Sequence, residues 1–89
     1  MLKTRRLERI VKGFANHRRI QIMELLESNP ELSLQNVSVK LKVNIKTVSE
    51  HIRRLAISGL VLKRNRGNNV LHKLSPQGLS ILKFLRKLE

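Results

Sequence analysis

Six polar side chains along residues 44–60, NIKTVSEHIRRLAISGL, are the chain's clearest chemical feature. Ile45, Val48, Ile52 and Leu55 follow the 3-4-3 spacing of a helix with one buried face, and Asn44 is a natural N-cap for it. Lys46, Thr47, Ser49, Glu50, Arg53 and Arg54 fall on the other face. Lysine and arginine neutralise phosphates, arginine can fork onto a guanine edge, and hydroxyls donate to either. Lys46 stands in the first turn, where a positive charge opposes the helix dipole. It therefore serves a partner better than it serves the helix. Arg53 is expected to reach a guanine or a phosphate, and Arg54 the backbone. Ser49 could donate to a base or phosphate, or be a small residue on a solvated face. The Thr47 hydroxyl could bond a phosphate, or its methyl could merely pack. Glu50 would be repelled by phosphates unless it accepted from a cytosine amino group. Pairing with Arg53 or Arg54, three and four residues on, is the favoured reading.

The remaining residue types exclude more than they offer. The chain has 89 residues, 19 Lys and Arg against 6 Glu, and a net charge of +13. That excess points to a polyanion, with nucleic acid first and an anionic membrane surface second. There is no aspartate. The glutamates form no paired constellation, and no glycine-rich phosphate loop is present, so an enzyme has no positive support. His17, His51 and His72 lack partners at ligand spacing, and cysteine is absent. No metal or cofactor is expected. His51 is expected to be a packed, structural histidine. Phe14 and Phe84 are the only aromatics, which argues against single-strand binding by base stacking. No apolar run approaches the ~20 residues of a membrane span, and the basic start lacks the apolar stretch of a signal peptide. A cytoplasmic, chromosome-associated protein is the expectation.

The elements that must position these side chains can be read by periodicity and punctuation. Leu7, Ile10, Val11 and Phe14 give a helix within residues 4–14, weakened at its end by Gly13. Asn16 caps a second helix, whose buried face is expected from Ile20, Ile22, Met23, Leu25 and Leu26 and which Ser28-Asn29-Pro30 ends. Arg18 and Arg19 open it, one of them as a local anchor. Ser33 caps a short helix holding Leu34, Val37 and Leu41. Its N-terminus, with Ser33 and Gln35, could meet a phosphate through free N–H groups. A turn at Lys42-Val43 leads into the helix of residues 45–58. Residues 60–64 and 70–74 read as two strands around Arg66-Gly67-Asn68-Asn69. Lys63, Arg64, Arg66, Asn68 and Asn69 suit phosphate or minor-groove contact, or else form a solvated hairpin tip. Ser75-Pro76 opens a last helix over residues 76–88. Its apolar set of Leu79, Ile81, Leu82, Phe84, Leu85 and Leu88 is too wide for one small core. The surplus suggests contact with a second subunit, shared with the first helix.

This order, helix, turn, basic helix, hairpin, predicts a mainly α fold of about five helices with a small β-hairpin wing, as one domain over residues 1–89. The chain resembles winged helix-turn-helix regulators, most closely the ArsR-like group, with MarR-like domains sharing much of the pattern. Residues 14–26 (FANHRRIQIMELL), 41–61 (LKVNIKTVSEHIRRLAISGLV) and 70–79 (VLHKLSPQGL) carry the likeness. It departs from the family at Lys42, often glycine, and at Lys46, often proline or a small polar residue. The cysteine or histidine–carboxylate ligands of the family's metal sensors are absent. The resemblance therefore implies fold and DNA binding but not metal sensing. Arg19 matches the family's usual arginine. The expected function is a sequence-specific regulator of transcription that binds double-stranded DNA, with residues 45–58 in the major groove and the wing, residues 61–74, on the backbone or minor groove. A homodimer through the terminal helices is expected. The rival readings are a sequence-tolerant architectural DNA or RNA binder, and a protein-interaction module for an acidic partner.

Overall fold

A computed structural model describes residues 2–89, and four of the helices in it begin where a side chain satisfies free N–H groups. The elements are α1 (Leu2–Phe14), α2 (His17–Ser28), α3 (Leu34–Leu41), α4 (Ile45–Ile57), β1 (Val61–Arg66), β2 (Asn69–Leu74) and α5 (Pro76–Arg86). Asn16 accepts from the N–H groups of Arg18 and Arg19, and Ser33 from Asn36. Asn44 accepts from Lys46, and Ser75 from Gly78. Each such cap stabilises its helix by ~1 kcal/mol. α1 starts earlier than its apolar stripe, and α4 and α5 stop one and two residues short of the expected ends.

The core is aliphatic. Ile22, Met23 and Leu26 of α2, Val37 of α3, and Val48, Ile52 and Leu55 of α4 are buried together with Leu60, Val61, Leu74 and Leu82. Ile10 and Phe14 attach α1 to them. Three expected core positions are less buried than their spacing implies. Ile20 and Leu25 are only half-buried. Ile45 is exposed, because the first turn of α4 projects past α3 toward the hairpin. Leu82 belongs to the core, whereas Phe84 and Leu88 do not.

Two glycines set how closely elements approach. A Cβ at Gly13 would sit 1.9 Å from Ser58 Oγ and 2.5 Å from Ser58 Cβ, so its absence lets α1 lie on the end of α4. The expectation that Gly13 merely weakens the helix missed this contact. A Cβ at Gly78 would meet the Leu60 carbonyl oxygen at 2.5 Å, so glycine there lets α5 seat against the start of the hairpin.

Between α3 and α4 the chain turns at Lys42, whose φ of 56° is left-handed. It is the position where the resemblance leads one to expect glycine. Val43 packs beneath this turn, its N–H and carbonyl both held by Ser38.

The strands are six residues each and antiparallel, with Val61 opposite Leu74 and Arg66 opposite Asn69. The connection is thus Gly67-Asn68 alone, with φ of 62° at Gly67, and is tighter than the expected four-residue loop. A third strand-like segment is unforeseen. Leu32 bridges His72, each N–H donating to the other's carbonyl. This ties the hairpin to the α2–α3 connection.

Candidate nucleic-acid interface

The buried stripe of α4 fixes which way its polar face looks. With Val48, Ile52 and Leu55 inward, Lys46, Thr47, Ser49, Glu50, Arg53 and Arg54 are all exposed. The pose is braced from behind. Arg19 donates from Nη1 to the carbonyls of Lys12 and Gly13, at 3.1 and 3.2 Å, and from Nε to His51 Nδ1 at 3.2 Å. One guanidinium therefore closes the C-terminal end of α1 and holds α4 at its middle. Because Nδ1 accepts, the neutral ring carries its proton on Nε2. Burial and then the Arg19 charge push the His51 pKa down, which keeps the ring neutral. Arg19 is thus the expected local anchor and His51 the expected packed histidine.

Glu50 is the electrostatic centre of the exposed face. Its carboxylate accepts from Arg53 Nε and Nη2 at 2.9 and 2.8 Å, and from Arg54 Nε at 2.9 Å. Hydrogen bonds from Arg53 and then Arg54 hold its pKa down to about 2. The pairing reading of Glu50 is therefore the one the structure realises. Lys46, Thr47 and Ser49 lie exposed beside it and make no side-chain ion pair among the described residues.

The hairpin tip and the start of α3 meet the first turn of α4. Ser33, Leu34, Gln35, Ile45, Asn68, Asn69 and Val70 line one open cleft. Four candidate residues from two separate stretches of sequence, Ser33 with Gln35 and Asn68 with Asn69, are thereby brought together beside Ile45. Ser33 serves chiefly as the cap of α3, its Oγ accepting from the Asn36 N–H at 3.1 Å. Gln35, Asn68 and Asn69 are exposed. Lys63 and Arg66 are also exposed on the strands.

Arg64 differs from its neighbours in the wing. It forks onto Glu31, Nε to Oε1 at 2.6 Å and Nη2 to Oε2 at 2.8 Å. The hydrogen bonds from Arg64 lower the Glu31 pKa. Together with the Leu32–His72 bridge, this pair makes the hairpin an arm with a braced base and a free tip. His72 is buried, and its Nδ1 lies 2.9 Å from the Leu32 carbonyl, which can only accept. The ring is therefore the Nδ1–H tautomer, and burial lowers its pKa. Nothing in the local sequence around Glu31 signalled this strap, because its partners lie more than thirty residues away.

Among the described residues no group of three His, Cys, Asp or Glu side chains is placed to hold a metal ion. No helix of the described residues is long and apolar enough to cross a membrane.

Comparison with known proteins gives a consistent picture. The model of a family described as winged helix-turn-helix DNA-binding matches residues 16–61, from the cap of α2 to the start of β1. The transcriptional activator HlyU of Vibrio cholerae serotype O1 is 36% identical over 66 residues, covering 74% of this chain and 60% of that protein. The chain thus spans under two thirds of that relative. The solved structure of HlyU from Vibrio cholerae superposes with a TM-score of 0.82 at 30% identity, covering 97% of this chain and 94% of that one. A homodimeric winged helix-turn-helix domain of Mb0332 from Mycobacterium bovis, a possible ArsR-family transcriptional regulator, gives a TM-score of 0.85 at 25% identity, covering 98% and 80%.

Proposed function

Since the chain belongs to the winged helix-turn-helix DNA-binding family, we propose that it is a homodimeric, sequence-specific regulator of transcription that acts on double-stranded DNA. The observation that carries this reading is the cleft joining the α3 N-terminus, the first turn of α4 and the hairpin tip. It makes one continuous surface of three elements that a duplex would meet at once. Lys46, Ser49 and Arg53 would read base edges in the major groove, with Thr47 and Arg54 on phosphates. The α3 N-terminus, with Ser33 and Gln35, offers N–H groups to a phosphate. Lys63, Arg66, Asn68 and Asn69 would follow the backbone or enter the minor groove. Glu50 and Arg64 act less directly, Glu50 by holding arginines and Arg64 by bracing the wing. The protein would work in the cytoplasm, on the chromosome, as one domain over residues 1–89.

Dimerisation is supported by what the fold leaves uncovered. Leu7 and Val11 of α1 are 59% and 50% exposed, and Phe84 and Leu88 at the C-terminal end are 54% and 67% exposed. One flank lies on α1 and the other at the end of α5, with Leu88 just past its last residue. The Mb0332 domain is homodimeric. A chain this small also gains stability from a partner's surface.

The test is binding to a random duplex pool by fluorescence anisotropy, with sequencing of the bound fraction, at ~150 mM salt where screening is physiological. Enrichment of a two-fold symmetric site is expected. Binding without enrichment would replace this reading with an architectural role, and no binding would overturn it.

A further inference from the structure

Resting on that DNA-binding reading, we propose that Arg6, Arg9 and Lys12 of α1, with Arg54 of α4, form a second contact surface for DNA phosphates, outside the bases that α4 reads. α1 carries Lys3, Arg5, Arg6, Arg9 and Lys12 against Glu8 alone. α4 carries three cations against Glu50, which holds two of them. The larger share of positive charge therefore lies off the reading helix.

At 100° per residue, Arg6 and Arg9 fall on one side of the buried Ile10–Phe14 stripe, and Leu7 and Val11 on the other. Lys12 continues the ridge at the same three-residue step. The basic flank and the apolar flank proposed for dimerisation are thus separate surfaces of one helix. The basic flank faces α4. Arg9, Lys12, Arg54, Ile57 and Ser58 line one shallow cleft around Gly13, and Arg6 and Arg9 line the next with Ile57 and Ser58. The close approach at Gly13 and a hydrogen bond from Ser58 Oγ to the Arg9 carbonyl, 3.3 Å, hold the two helices in that register.

Arg6 and Arg9 make no ion pair among the described residues. Lys12 pairs with Glu8 at 3.4 Å, with side chains 76% and 62% exposed, an arrangement that contributes little. Arg54 gives Glu50 its Nε–H alone. A ridge of unneutralised cations repels itself, so it suits a partner that supplies a line of evenly spaced negative charge. A phosphate backbone leaving the end of α4 is such a partner.

The experiment compares the full chain with the variant Arg6→Gln/Arg9→Gln/Lys12→Gln, with Arg9→Gln alone as a milder control. All three side chains are exposed, so circular dichroism melting and the sedimentation mass should match the parent. Binding is measured on the selected site alone and on that site with about one helical turn added at each side. The parent is expected to bind the longer duplex more tightly and with a steeper salt dependence. The triple variant should lose that advantage, its log–log salt slope falling by about 2–3 because each phosphate contact contributes ~0.9. Base preference should be unchanged. An unaltered slope on the longer duplex would overturn the inference while leaving the DNA reading intact. Failure of the parent to bind either duplex would overturn both. Loss of binding to polyglutamate with the DNA slope unchanged would reassign the ridge to an acidic protein.

Discussion

Glu50 puts a negative charge on the exposed face of α4 proposed to meet DNA, and what it holds explains why it can stand there. Its carboxylate occupies Arg53 through two nitrogens and Arg54 through one. Removing the charge in Glu50→Gln should free both arginines for phosphates. Affinity for an unselected duplex is expected to rise only a few-fold, since exposed ion pairs of this kind are weak. Anisotropy titration checks this, and a fall in affinity for the selected site alone would mean that Glu50 reads a cytosine instead. His51 and His72 set a second expectation. Both have folded pKa values pushed below the usual 6.5, chiefly by burial. The groups around His51 are Arg19, Glu50, His17 and Arg18, and Lys63 acts on His72. The folded state therefore prefers the neutral rings. Their contribution to stability is complete above pH 6.5 and is lost as pH falls toward the lowered values. Melting temperature should decline from pH 7.5 to 5, and His72→Gln should flatten the decline. A parent melting temperature constant over that window would contradict this.

At the scale of elements, short-range signals and close approaches divide the work. The caps at Asn16, Ser33, Asn44 and Ser75 are local chemistry, and all four were legible because an N-cap depends on its own next three residues. The junction of α1 with α4 was not legible, since Gly13 and Ser58 lie forty-five positions apart. Gly13→Ala should gain up to ~1 kcal/mol of helix propensity but lose ~1–3 kcal/mol to overpacking against Ser58. A net loss is expected because Ser58 Cβ, not a movable side-chain tip, blocks the site at 2.5 Å. Adding Ser58→Gly should recover most of it. Chemical denaturation of the two single variants and the double variant would show the coupling, and simple additivity would contradict it.

For the molecule as a whole, the question is what covers the apolar flanks of α1 and α5. Leu82 completes the monomer's own core, while Phe84 points away from it. The exposed set is a surplus only when the two terminal helices are seen together. Phe84→Arg should therefore leave the fold intact yet shift the sedimentation mass toward the 10.3 kDa of one chain. Binding to a two-fold symmetric site should weaken far more than binding to a half-site, because the two half-sites then no longer engage together. A parent that sediments as a monomer at all concentrations would rule out this use of the flanks.

Periodicity and capping residues by themselves determined the element order and the polar face of α4, since each depends on neighbours within one or two turns, while the net charge narrowed the partner to a polyanion. Resemblance added the family and the arginine at position 19. Only the tertiary structure decided that Ile45 lies in a cleft with the wing tip, that Arg64 braces the wing on Glu31, that Leu32 extends the hairpin through His72, and that a basic ridge of α1 runs beside α4. Those contacts join residues far apart in sequence. They exist because burying one aliphatic core fixes the relative placement of every helix, and no local pattern encodes that placement.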